Sequence, residues 1–199
     1  MDEPLRAHSP NEVEFFLQVT ACPKCGHGPM EAKDVQPEGD GDPTEPSRGA
    51  KVRALCKRCG AQATYHFRWD APAPAPGDCV NPTDRPSTLI DLGQWVGLCY
   101  RFQEEADRAA SPAEAHQAHR RAALCLDEAL KFHLGEELPP ESAFFTETSL
   151  AGFRSNPALY ARTRLREFQA LLPTAVVTAD PPPPATAEPH HAWWRFWAR

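Results

Sequence analysis

The feature that most restricts this chain is a pair of cysteine pairs, "CPKCG" at Cys22 and Cys25 and "CKRCG" at Cys56 and Cys59, with residues 26–55 between them. Two residues between thiols let one tight turn aim both sulfurs at a single ion. The glycine that follows, Gly26 or Gly60, is free to take a positive φ and turn backbone N–H groups toward the thiolates. Two such turns supply four thiolates, the ligand set of a closed tetrahedral site. The chain holds seven cysteines, an odd total. With four of the seven in close pairs, metal ligation in a reducing compartment is a better reading than disulfides.

Around the pairs the sequence alternates as strands do. "VEFFLQVTA" leads into the first knuckle, "AKVRAL" into the second, and "AQATYHFRW" leaves it. On these residues the segment resembles a zinc ribbon, and the resemblance implies hairpins clamping one structural zinc between Cys22, Cys25, Cys56 and Cys59 over residues 11–70. The same four ligands also resemble rubredoxin, in which iron carries single electrons. Rubredoxins carry aromatic residues after the first knuckle and a tryptophan ahead of the second, where this chain has "HGPMEAKDV" and "KVRAL". Zinc is therefore expected, with iron as the alternative. His27 beside the first knuckle is expected to be a neighbour, since four thiolates complete the shell. His66 in the exit strand is expected to pack or face solvent. The acidic, turn-rich "QPEGDGDPTEPSRGA" reads as an excursion between hairpins.

From Lys51 to Trp69 there is no acid, while Lys51, Arg53, Lys57, Arg58 and Arg68 are all basic. One reading is a strip for nucleic-acid phosphates. The other is local: zinc with four thiolates carries a formal charge of minus two, which nearby cations stabilise. The whole chain carries a net charge of -6, which speaks against a general nucleic-acid coat.

"APAPAPGD" marks a boundary, and residues 71–86 read as a stiff proline-rich linker. Beyond it the apolar period changes. Leu92, Trp95, Val96, Cys99, Phe102 and Ala106 recur at three and four, with Ser87 or Thr88 placed to cap the helix. A second helix is expected from Ser111, with Pro112 in its first turn, Glu114 closing a capping box and Gly135 as its stop. A shorter helix follows "LPPESAFF", and a last one is expected from Asn156 and Pro157 with Ala161, Leu165, Phe168 and Leu172 on one face. The predicted fold class is α+β: a small β zinc ribbon, then a three- to four-helix domain over residues 87–173, then a proline-rich disordered arm. Residues 1–10 read as a tail. The stretch from "NPTDRPSTLIDLGQW" through "LCLDEALKF" to "LPPESAFF" is similar to bacterial proteins of unassigned function, many joined to an N-terminal pair of CxxC knuckles.

Catalysis finds no foothold in the sequence. His116 and His119 lack a metal-binding partner set, and the chain has no glycine-rich phosphate loop or nucleophile elbow. A four-thiolate site has no open position for water. Cys99 and Cys125 fall on apolar helix faces as buried thiols, and Cys79 in the linker is the more exposed. The opening "MDEPLRAHSPNEVEFFLQ" has no apolar run long enough for a signal or a membrane span, so a cytosolic protein is expected.

The last feature is "HHAWWRFWAR", which holds three of the five tryptophans. Residues 174–192 ahead of it include four consecutive prolines, a tether that favours extended chain. Trp193, Trp194, Arg195, Phe196 and Trp197 are of the residue types that dominate binding energy, and a short anchor peptide on an arm is how one protein enters another's groove. Self-packing and a weak membrane-interface role are the alternatives. The expected function is a non-catalytic adaptor held together by zinc and recruited to a protein partner by residues 193–199, with nucleic-acid binding as its runner-up.

Overall fold

The computed structural model describes residues 3–38, 48–69 and 79–172. Strand β1 (Leu5–Ala7) and helix α1 (Pro10–Val19) come first, followed by strands β2 (Met30–Glu38), β3 (Gly49–Cys56) and β4 (Gln62–Trp69). They form one sheet in the order β1-β4-β3-β2. The β2–β3 and β3–β4 pairs are antiparallel, whereas β1 lies parallel to β4 with Arg6 opposite Arg68. Alternation gives the sheet two characters. Ala50, Val52, Ala54, Phe67 and Trp69 are buried on one face, and Lys51, Arg53, Thr64, His66 and Arg68 are exposed on the other.

Two expectations fail here. "VEFFLQVTA" is helical and residues 5–7 are a strand, so the unit is more than a ribbon of hairpins. Helix α1 starts with Pro10 in its first turn, while the hydroxyl of Ser9 at the N-cap position donates to Val80 O rather than accepting from the helix. Its side chains then divide. Val13 and Leu17 join the sheet's core with Cys22, Met30, Cys56 and Phe67. Phe15 enters the other core, 5.5 Å from the Trp95 ring and 6.0 Å from Phe102.

That second core belongs to α2 (Leu92–Asp107), α3 (Pro112–Leu130), α4 (Glu147–Ser155) and α5 (Arg162–Leu171). Helix α2 buries the expected Leu92, Trp95, Val96, Cys99, Phe102 and Ala106, and α3 buries Ala122, Cys125, Leu126 and Ala129 while Leu130 beside them is half-buried. The cap of α2 is Asp91 rather than Ser87 or Thr88. Its carboxylate accepts from Gln94 N at 2.8 Å and from the Thr146 hydroxyl at 2.8 Å. Ser87 instead accepts from Leu89 and Ile90 N–H in the turn before the helix. Ser111 caps α3 as expected, while Glu114 reaches Ala110 N at 3.0 Å. The single last helix is also divided. Pro157–Tyr160 makes a 3-10 turn, Ala161 turns extended at ψ 139, and α5 starts afresh. Tyr160 is drawn aside by edge-on packing against Phe144 at 5.1 Å and Phe153 at 5.9 Å.

After α3 the chain tightens into a 3-10 turn at Lys131–His133 and reverses at Leu134 and Gly135, with φ of 48 and 96. The left-handed conformation is free for glycine but costs about 1–2 kcal/mol at Leu134. No helix among the described residues is long and apolar enough to cross a membrane. Residues 71–78 of the expected linker and the whole of the expected arm, 174–199, lie outside the described residues, as does most of the acidic excursion. The linker's end at 79–86 is packed: Val80 is buried, and Asn81 Nδ2 donates to Arg85 O at 2.7 Å.

Candidate metal centre

The two knuckles are built alike. In each, the first cysteine's carbonyl accepts from the glycine, Gly26 N to Cys22 O and Gly60 N to Cys56 O, both at 2.9 Å. The first cysteine's N–H turns back to close the loop, Cys22 to His27 O at 2.6 Å and Cys56 to Ala61 O at 2.8 Å. Gly26 and Gly60 take φ of 69 and 72, as the motif required. An added Cβ would meet nothing within 4 Å at either position, so the dihedral alone demands glycine. A third bond, Lys57 N to Pro29 O at 3.1 Å, joins one knuckle to the other.

This frame brings the four sulfurs of Cys22, Cys25, Cys56 and Cys59 within 4.8 Å of one another. Cys22 and Cys59 Sγ are 3.6 Å apart, and Cys25 and Cys56 Sγ are 3.8 Å apart. A disulfide needs about 2.05 Å, so these are free thiols. A tetrahedron with metal–sulfur bonds of 2.3 Å has edges of about 3.8 Å, the separation seen here. The donor set therefore fits a single metal ion with four thiolate ligands. Among the described residues it is the one group of three or more histidine, cysteine or acidic side chains gathered closely enough to hold a metal.

The electrostatics of the bare thiols agree with that fit. The N–H of Cys25, with that of Lys24, helps pull the Cys22 thiol down to about 7. At Cys59 the N–H of Ala61 acts the same way, yet burial and the three neighbouring thiols outweigh it and push the group up to about 11. Four sulfurs this close cannot all ionise without a cation among them.

His27 offers the site only its backbone: its carbonyl faces the thiols of Cys25 and Cys56 at 3.8 and 4.0 Å, and its ring is exposed. His66 is exposed with Nδ1 3.2 Å from Glu38 Oε1. The residues of the basic run lie on two parts of the sheet unit. Lys51, Arg53 and Arg68 share the open face of the sheet, whereas Lys57 and Arg58 stand on the second knuckle. Arg53 pairs with Asp34 at 3.5 Å and Lys57 with Glu31 at 4.0 Å. His116 is exposed on α3 and joins no metal-binding group. The thiols of Cys99 and Cys125 are buried, and desolvation pushes Cys99 up to about 12 and Cys125 well above its ordinary value. Trp193, Trp194, Arg195, Phe196 and Trp197 lie outside the described residues.

Sequence reasoning missed the polar bonds made by α1 and the helices packed against it. Arg121 of α3 reaches Glu14 of α1 at 2.7 Å and lies 4.2 Å over the Phe102 ring. Arg101 of α2 bonds Gln18. Glu12 is fully buried, accepts His8 N at 2.5 Å and has one oxygen without a partner. Glu128, also buried, accepts from Lys131 Nζ at 2.8 Å and from Asn81 N at 3.1 Å. The Arg121–Glu14, Arg101–Gln18 and Glu128–Asn81 spacings form no motif, because their partners come from distant parts of the chain. No family model matches this chain, and no curated protein or solved structure is similar to it.

Proposed function

We propose that the chain is a non-catalytic adaptor, stabilised by one zinc ion and recruited to a larger protein partner through Trp193, Trp194, Arg195, Phe196 and Trp197. The observation that carries the reading is the pairing of a coordinatively closed metal site with an aromatic, arginine-bearing segment behind a proline-rich stretch. Four thiolates around one ion leave no position for substrate or water, so the metal's work is to hold the sheet. Trp, Phe and Arg beyond a tether have the composition of a docking anchor. Zinc is favoured over iron because the aromatic positions that mark rubredoxins hold the residues of β2 and β3 instead. A pull-down from native extract tests the adaptor role by comparing the full chain with one stopped after Asp180. One abundant partner lost with the tail supports it, and identical partner lists contradict it.

A second reading is favoured by one feature of the sheet. Arg6 and Arg68 stand opposite each other in the parallel β1–β4 register. Like charges so placed are unfavourable unless an anion lies nearby. Lys51 shares their open face, and none of the three has a carboxylate partner among the described residues. On this reading the nucleic-acid surface is Arg6, Lys51 and Arg68, with Arg58 at the knuckle, rather than the contiguous run. Binding of a labelled single strand should then weaken with salt with a log–log slope near -2 to -3. A flat response eliminates it.

A further inference from the structure

The apolar surface that the two cores leave open lies in the helical half. Pro86, Phe132, Leu134, Pro140 and Phe145 line a groove of about 330 Å³. Leu134 is 75 % exposed, Phe145 50 % and the nearby Leu138 46 %. Leu134 is also the non-glycine residue held at positive φ. A leucine kept in a disfavoured backbone conformation and turned to water is poorly explained by folding, and such strain is retained where a surface is used.

We infer that this groove is the resting site of the chain's own residues 193–197. The inference rests on reading those residues as a docking peptide and adds what holds them when no partner is present. Three observations select this occupant. The first is reach. Helix α5 begins beside the groove, where Arg162 Nη1 donates to Gly135 O at 3.0 Å and Arg162 N to Glu137 O at 2.8 Å. The helix is ten residues long, about 15 Å, so the chain leaves it at Leu172 about that far from the groove. The twenty residues 173–192 would span about 25 Å as a coil and about 60 Å as extended polyproline, so either form is long enough to cross that distance.

The second is charge. Glu136 and Glu137 are exposed directly after Gly135, and past Glu188 the chain carries Arg195 and Arg199 with no further acid. The third is size. The volume is near the lower end of ligand pockets, suited to one or two aromatic rings rather than a helix. A tether long enough to span the distance sets an effective concentration of about a millimolar, so even a weak contact keeps the peptide docked. A partner must then compete with the groove, and its apparent affinity falls by the fraction of peptide it finds free.

The test uses the full chain with p-benzoylphenylalanine in place of Phe145, irradiated and digested for mass spectrometry. Placement at Leu138 gives a second, independent probe should the first disturb folding. The expected result is a crosslink within one chain to residues 189–199, reduced about tenfold by Trp193→Ala, Trp194→Ala and Trp197→Ala together. Crosslinks between two chains, crosslinks to other segments alone, or none from either position overturn the assignment. A partner lost with the tail but no crosslink leaves the adaptor standing and removes the groove. A crosslink with no tail-dependent partner does the reverse.

Discussion

The sheet half and the helical half solve the same problem with different means. The sheet buries one face only, and two of the residues in its core, Cys22 and Cys56, belong to the four-cysteine group that could hold a metal ion. The helices bury Trp95, Phe102, Ile90, Leu92, Leu98, Leu126 and Leu165 almost completely, each such side chain contributing about 1.5–3 kcal/mol. The lesson is one of area. A four-stranded sheet with one helix across it has little apolar surface to bury, and on the proposed reading an ion tying the two hairpin turns would supply what the core does not. The halves also differ in what joins them to each other. Helix α1 belongs to both, with Val13 and Leu17 in one core and Phe15 in the other.

The sharpest way to break the comparison is at a ligand. Cys25→Ser or Cys59→Ser should release the metal and abolish amide-exchange protection in β2, β3 and β4 while α2 and α3 keep theirs. Loss of protection throughout would show that the metal supports both halves. Trp95→Ala should do the opposite. It should destabilise the helices by about 3–5 kcal/mol, read as a lower denaturant midpoint, with metal content unchanged.

A third test concerns the junction. Burial pushes Glu128 up to about 7 despite Lys131 beside it, and burial likewise raises Glu12. A carboxyl raised in the folded state binds its proton more readily there, so stability falls as pH rises from about 4.5 to 7. His133 acts oppositely, because burial lowers it and its contribution is lost as pH falls below its ordinary range. The difference between wild type and Glu128→Gln isolates the first effect. The wild type's stability should fall more across that window, and parallel curves would remove Glu128 from the account. The smallest effect is expected at a knuckle. Gly60→Ala forces a side chain into φ 72 with space around it, costing about 1 kcal/mol with the metal retained. A cost like that of losing a ligand would mean the turn itself is the limiting element.

What could be read from the sequence tracks how local each signal was. The knuckles, β3, β4 and the apolar faces of α2 and α3 follow from short-range spacing, and all were legible. Helix α1 was not, because a helix buried on two sides carries a wide apolar face and "EVEFFLQV" then reads as a strand. Its start signal was present all the same: Ser9–Pro10 is the pattern that correctly marked Ser111–Pro112. Strand β1 pairs in parallel with residues sixty positions away, which three residues of sequence cannot announce. Asp91 displaced Ser87 as the cap because Thr146, from a distant turn, completes its bonds. The four-cysteine cluster was legible, whereas its coupling to the helices through Glu12, Glu14, Arg101 and Arg121 was tertiary and left no trace in the spacing.

The central claim is that four cysteines close a single metal site on which the sheet depends. X-ray absorption at the metal edge, on the purified full chain, tests it directly. The account predicts a zinc edge with four sulfur neighbours at about 2.3 Å and no nitrogen or oxygen in the shell. A shell containing nitrogen or oxygen, or protein that retains its sheet without any metal, would contradict it.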